Sequence, residues 1–418
     1  MAIKTLSYFK KPVFLSSLIC IFIFYSGLFK IPEKNKAVSL VTQNQISQIK
    51  GKILNSPAKS SSGKYYTADF RIEWVKTSAG ILSSAKGRTK VYIPASLAEA
   101  YSPGKLYSEA KRAFLYESGA SYTFSGKYSP KGFIADDCIY CSWPPNTLGR
   151  IQYYRALCRL HFKRLMYSWG YAGGLLLALL SGSREYTDSL TQDAFRRAGL
   201  SHILALSGMH LSMFSAIALF FGSRAGIKKL TFILRIIALI AFVWFAGFSP
   251  SLLRAFICTM LTIVAAIAGT KEPDMLSILS FSFLLQCAIS PSDISNTGFM
   301  LSYGALAGIL LTSRFFNRFY SKLTPKAIAA SLSAATGAQT ITAPISLRVF
   351  GSFSPIGIIS ATLVSPFVTV FIYSGLLLII LSLIFPVLAK PSGIFIYLQY
   401  TVINGIVKFF SLVPDINL

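Results

Sequence analysis

A polytopic α-helical membrane protein, with a small β-barrel domain of the oligonucleotide-binding (OB) kind held outside the cytoplasm near its N-terminus, is the fold class this sequence predicts. Three observations predict it. Apolar residues make up 53% of the 418 and the mean hydropathy is +0.56, outside the soluble globular range. Apolar runs of the kind that mark spanning helices recur at Val13–Phe29, Ile203–Phe221, Leu230–Phe248, Leu252–Gly269, Leu276–Ile289, Phe299–Leu311, Ile358–Leu388 and Ile394–Val413. Between Lys36 and Cys141 the chain switches to short alternating stretches, such as Tyr66 to Trp74 and Lys90 to Ile93, divided by Ser, Gly and Pro turns.

Residues 1–35 form the first unit. Lys4, Lys10 and Lys11 precede the run Pro12–Ile31, and no small-residue cleavage site follows. This is read as an uncleaved anchor with its basic end inside, which sends the next segment outside. Residues 36–149 form that segment, the β domain. From Lys30 to Arg150 there are 18 Lys plus Arg against 8 Asp plus Glu, a balance of +10. Basic strands bearing Tyr65, Tyr66, Phe70, Trp74 and Tyr92 suit an OB barrel, where bases stack on exposed rings and phosphates meet Lys and Arg. Core packing of the same rings is the other reading. Cys138 and Cys141 form a CxxC pair with no second pair of metal ligands, so in an exported domain a disulfide between them is expected and no metal site is.

Residues 150–198 form the third unit. Arg155, Arg159 and Lys163 recur at fourfold spacing among Leu157, Leu160, Phe162 and Leu165, the pattern of an amphipathic helix lying in the lipid interface. Tyr171 to Arg197 is expected to be re-entrant, since Leu175 to Leu180 is too short to span. Residues 199–418 are the main membrane block. Its predicted inner loops carry Arg224, Lys228, Lys229 and Lys271, then Arg314, Arg318, Lys322 and Lys326. Its outer turns, Ser249-Pro250 and Pro291-Ser292-Asp293, carry no basic residue, as the positive-inside rule requires.

Charge sets the partners. The chain has 41 Lys plus Arg against 15 Asp plus Glu, or +26. Contact with the head groups of the lipid bilayer explains part of that excess, and a polyanionic partner explains the part that is not confined to loops on one side.

The densest cluster of functional side chains runs from Asp193 to Leu211 and holds Arg196, Arg197, His202, Ser207 and His210. Charged and imidazole groups at the mouth of an apolar helix are costly unless they face water or a partner. A serine nucleophile at Ser207 with His210 or His202 as base is one reading. A polar passage is the other, favoured because no carboxylate is placed to orient the base and no nucleophile elbow is present. Arg254 follows a proline turn at a second helix mouth, and Gln339 lies upstream of Pro344, Pro355 and Pro366, which are expected to break helices around a cavity.

The run Phe195-Arg196-Arg197-Ala198-Gly199-Leu200-Ser201-His202, followed by Leu204-Ala205-Leu206-Ser207-Gly208-Met209-His210, resembles the signature of the ComEC family of competence proteins. Other pieces agree in order: Pro250-Ser251-Leu252-Leu253-Arg254-Ala255, Gly298-Phe299-Met300-Leu301-Ser302, Gln339 to Pro344, Phe353-Ser354-Pro355-Ile356-Gly357 and Val364-Ser365-Pro366. The resemblance implies an inner-membrane channel, preceded by a periplasmic OB-type domain, that admits transforming DNA as a single strand. It implies as partners a DNA receptor, a nuclease and a cytoplasmic motor. Many relatives also carry a metallo-β-lactamase-like domain. The three His here form no His-x-His-x-Asp arrangement, so either a separate polypeptide supplies the nuclease, or strand separation happens elsewhere, or the chain is a truncated or repurposed relative. No phosphate-binding glycine loop appears, so the motor is expected elsewhere too. No cofactor and no enzymatic step are expected of this chain. Arg196, Arg197, His202, Ser207, His210, Arg254 and Gln339 are the candidate residues of the DNA path, and transport of a smaller anion is the alternative.

Overall fold

The computed structural model describes residues 12–26, 38–39, 41–55, 57–60, 63–100, 116–224, 226–247, 249–270 and 274–417. Lys4, Lys10, Lys11 and Lys271 lie outside the described residues.

Alternation of apolar and polar residues builds the β domain. β1 (Ile46–Ile53), β2 (Tyr65–Thr77), β3 (Arg88–Pro94), β4 (Ser121–Ser129) and β5 (Gly132–Ser142) close on one another. β1 pairs antiparallel with β2 and β4, β2 with β3, and β4 with β5, while β3 and β5 run parallel. That closed five-strand order is the expected OB-like barrel. Ile49, Ile53, Phe70, Tyr122, Phe124 and Phe133 fill its interior. A register shift opposite Lys50 and Gly51 passes the inward set of β2 from Phe70 and Ile72 to Val75 and Thr77, the signature of a bulge. The aromatic residues divide between the two readings. Phe70 is core, whereas Tyr65, Trp74 and Tyr92 stay half-buried on the outer face, with the Lys50 ammonium 5.7 Å from the Trp74 ring centre.

Helices make up the rest. α1 (Pro12–Tyr25) packs on the later membrane helices, and α2 (Thr147–Ser168), α3 (Gly170–Ser181) and α4 (Ser189–Arg197) link the barrel to them. Then come α5 (Gly208–Arg224), α6 (Lys228–Ala246), α7 (Pro250–Ile267), α8 (Met275–Ile289), α9 (Thr297–Tyr320), α10 (Lys326–Phe350), α11 (Gly357–Ile384) and α12 (Ala389–Phe410). Five of them, α6, α7, α9, α11 and α12, are long and apolar enough to cross a membrane, and the chain is a polytopic membrane protein. α3 has only 12 residues, about 18 Å of helix, and everything from Ala172 to Ser181 is buried inside the protein.

Three expectations are corrected here. The run Ile203–Phe221 is not one helix, because residues 201–207 form turns and α5 starts only at Gly208. Pro344 and Pro366 break nothing. They lie inside α10 and α11, since a proline removes one N–H and membrane helices tolerate that loss where neighbours cover the freed carbonyl. α10 itself was absent from the apolar runs, being rich in Ala, Ser, Thr and Gly. Those small residues let it pack closely along α9, with Gly308 and Gly337 backbone to backbone.

The barrel sits at the end of the helical block where α6 stops and α7 and α9 begin, the end that holds the turns Ser249-Pro250 and Pro291-Ser292-Asp293. Arg224, Lys229, Arg314, Arg318, Lys322 and Lys326 lie a helix length away, at the other end.

Candidate functional site

The barrel is locked to the helices by a buried ion cluster. Asn146 caps α2 by accepting the Gly149 N–H at 2.8 Å, and the helix then carries Arg155, Arg159 and Lys163 on one face. That face does not lie in the lipid interface, as its spacing suggested. It turns inward onto Glu117, just before β4, and Glu185, in the loop after α3. Arg159 Nε and Lys163 Nζ each stand 3.2 Å from the Glu117 carboxylate, and Lys163 Nζ stands 3.1 Å from Glu185. Tyr167 donates to Glu185 at 2.9 Å. Arg159 also donates from Nη1 to the Phe245 and Ala246 carbonyls at 3.0 and 3.4 Å, covering the negative end of α6. Burial drives the Glu117 carboxyl up, but Arg159, Lys163 and Arg155 together outweigh it and hold it at about 2, so it is ionised at neutral pH. Burial, then the neighbouring Arg159, pull Arg155 down to about 10, which leaves it charged.

Above this cluster opens a cleft of about 2130 Å³ between the barrel and the helical block. On the barrel side it is walled by Lys52, Arg71 and the described part of the β1–β2 loop, Leu54, Asn55, Pro57 to Ser60 and Gly63. In this fold class the β1–β2 loop and the β2–β3 face are where nucleic acid lies. On the helix side the floor is Leu204 to Leu206, Gly247, Ser249 to Ser251, Asn296 and Gly298. Six Lys or Arg line the cleft (Lys52, Lys59, Arg71, Arg155, Arg159, Arg184) against three acids (Glu185, Asp188, Asp193). The basic walls were missed in sequence because Lys52, Arg71 and Arg155 are far apart in the chain. Their signal was the +10 between Lys30 and Arg150.

None of the seven candidate path residues lines this cleft; six of them gather behind or beside its floor, in two groups, and Arg196 stands apart. In the first group, Ser207 ends the turn region and His210 sits in the first turn of α5. The Ser207 N–H and the Ser207 hydroxyl both lie 3.2 Å from His210 Nδ1, so the imidazole caps its own helix. His210 is fully buried and its Nε2 has no partner. The Arg254 guanidinium lies against Gly208 at the start of the same helix. It donates from Nη1 to the Ser302 carbonyl, and its Nε is buried without a partner. Ser251 donates to the Gly298 carbonyl at 3.1 Å, and Gln286 ties the Pro250 carbonyl to Asp293 and Tyr303, which fixes α7, α8 and α9 around Arg254.

In the second group, the Ser354 hydroxyl donates to the Arg197 carbonyl at 2.7 Å and Ser360 donates to Ala198 at 2.6 Å. Gly199 has φ +71 and touches Gly357, and Gly357 in turn faces the Gln339 amide, whose Oε1 is buried and unpartnered. A side chain at 199 would be strained and would meet the Gly357 Cα at 2.7 Å. His202 is exposed within these turns. Arg196 instead extends outward and pairs with Asp193 at 3.6 Å. Cys138 and Cys141 lie on β5, opposite Phe124 and Tyr122.

Elements far apart in sequence thus meet: the Arg197–His210 stretch, Pro250 to Ala255, Gly298 to Ser302, Gln339 and Ser354 to Gly357. The family model described as Competence protein matches residues 179–418, which contain them all. The chain belongs to the competence-protein family. This family member is 28% identical to ComE operon protein 3 of Bacillus subtilis (strain 168) over 203 residues, covering 48% of this chain and 25% of that protein. It is 27% identical to Recombination protein 2 of Haemophilus influenzae over 164 residues, 36% of this chain and 20% of that one. An uncharacterised Aquifex aeolicus protein is 26% identical over 240 residues, 56% of this chain and 53% of its own length. The chain therefore spans about half or less of the relatives it matches. No solved structure matches it.

Proposed function

We propose that this competence-family protein conducts single-stranded DNA across the bacterial inner membrane during natural transformation. In this reading the barrel is periplasmic and hands the strand to the helices. The observation that carries it is the basic cleft, where the nucleic-acid loop of an OB-like barrel faces a floor made of the family's own elements. Its volume of about 2130 Å³ exceeds the roughly 300–1,000 Å³ of small-molecule pockets, which favours a polymer over a small anion. His210, Arg254 and Gln339 do not line the cleft, yet each has a buried polar atom without a partner that a phosphate or its water reaching it would satisfy. His202 and Arg197 sit beside them, and Arg196 stands apart, paired with Asp193.

The role is conduction, with no bond broken by this chain. A hydrolase built on Ser207 and His210 is disfavoured because Nδ1 already accepts the Ser207 N–H and Nε2 meets no carboxylate. A receptor, a nuclease and a motor are the partners such a channel requires, and a Cys138–Cys141 disulfide is the state proposed for its exported domain. The test is entry of labelled DNA into the cytoplasm of cells with the gene intact, deleted or complemented, with surface-bound DNA scored separately. Deletion is expected to leave DNA bound but outside. Unchanged entry after deletion overturns the proposal.

A further inference from the structure

Among the described residues, charge in the buried cluster does not balance. Arg155, Arg159 and Lys163 face Glu117 and Glu185, and both carboxylates are taken: Glu117 by Arg159 and Lys163, Glu185 by Lys163 and Tyr167. Arg155 is left with a neutral partner, donating from Nη1 to the Ser118 hydroxyl at 2.8 Å, while its Nε is buried with no partner. It lines the cleft at its inner end, where its Nη2 lies against Gly247. That contact and the φ of +92 both require glycine there, since a Cβ would stand 2.7 Å from the guanidinium. One helical turn away, Trp244 lines the same cleft, and its indole Nε1–H is a second buried donor without an acceptor.

Arg155 and Trp244 thus both line the cleft, and each carries a buried donor without an acceptor, one of them cationic. A buried donor costs about 1–3 kcal/mol when unmet, so the missing component is an acceptor, and the surplus charge makes it an anion. We infer that Arg155 and Trp244 form a phosphodiester-binding neck of the cleft, holding the backbone of the DNA strand as it leaves the barrel. This rests on the proposed DNA-conducting role and adds the chemical group and the residues that hold it. A phospholipid head group offers the same chemistry. The strand is favoured because the cationic wall continues from Arg155 through Arg71, Lys52 and Lys59 on the barrel.

The test uses the full chain in nanodiscs of zwitterionic lipid, titrated with short fluorescent single-stranded oligonucleotides of several sequences over a range of salt. Each phosphate contact contributes a salt slope of about 0.7 for single strands. Arg155→Gln is expected to reduce the slope by about that amount and to weaken all sequences alike, and Arg155→Lys is expected to restore it. Trp244→Phe is expected to keep the slope and weaken binding roughly fivefold, the loss of one hydrogen bond. A slope unchanged in Arg155→Gln, with wild type binding normally, overturns the neck and leaves the DNA-conducting role standing. Absence of wild-type binding at low salt overturns both. If Arg155→Gln leaves the oligonucleotide slope intact but loses retention of phosphatidylglycerol in mixed-lipid discs, the occupant is a lipid and the inference fails.

Discussion

The junction between barrel and helices and the meeting point of the family elements are both polar clusters in low-dielectric surroundings, and they are finished differently. At the junction Glu117, Arg159, Lys163, Glu185 and Tyr167 satisfy one another, with Arg155 Nε the exception. At the family elements His210 Nε2, Arg254 Nε and Gln339 Oε1 are buried and unmet. A closed polar network holds parts together, whereas an open one gives up stability to keep groups available. The lesson is that Arg159 and Lys163 on α2 serve architecture, whereas the buried polar atoms of His210, Arg254 and Gln339 are left unsatisfied by the fold itself.

The comparison breaks most visibly at Glu117. Glu117→Ala leaves buried Arg159 without its carboxylate and Lys163 with Glu185 only, and is expected to cost about 3–5 kcal/mol, read as a fall in the thermal midpoint of the purified full chain. Acid should do the same reversibly. The folded carboxyl titrates at about 2 against an ordinary 4.5, so its contribution is complete above pH 4.5 and disappears as pH falls toward 2. The loss is on the order of 3 kcal/mol, and Glu117→Gln should flatten that stretch of the stability–pH curve. At the other cluster, Gly199→Ala forces a strained φ and a contact with Gly357, with an expected cost of about 1–3 kcal/mol by the same assay. His210→Gln, by contrast, should change stability by under about 1 kcal/mol, because the Gln carbonyl can still accept the Ser207 N–H that caps α5 and nothing is bonded to Nε2. It should nevertheless lower DNA entry more than tenfold. If it instead destabilises like Glu117→Ala, the two clusters do the same job and the distinction falls.

Much of this was legible in the chain because it depends on local pattern. The apolar runs at Leu230, Leu252, Ile358 and Ile394 became α6, α7, α11 and α12, and the alternation from Tyr66 to Trp74 became β2. What local pattern could not carry was partnership. Fourfold spacing of Arg155, Arg159 and Lys163 is equally right for lipid head groups and for a buried acid, and Glu117 is too distant in sequence to decide between them. α10 escaped because its small residues lower hydropathy while improving packing. Residues 201–207 escaped because an apolar turn looks like an apolar helix. At the site, the motif residues were visible individually. The contact of Arg254 with Gly208, and of Gly199 with Gly357, belonged to the tertiary fold.

The enclosure of α3 has a consequence for how the protein is made. Leu175 to Leu180 are covered by Val364, Phe371, Ile372, Ile396 and Ile403, and Gly375 takes the Leu176 side chain against its backbone. The ribosome completes α3 nearly two hundred residues before those neighbours exist, an interval on the order of ten seconds or more. For that time a helix too short to hold a bilayer by itself has no permanent surroundings, so translation order and assembly order run in opposite directions here. The first helix after the α2 linker is seated only when the last two arrive, which makes α11 and α12 the step that commits a nascent chain to its finished form.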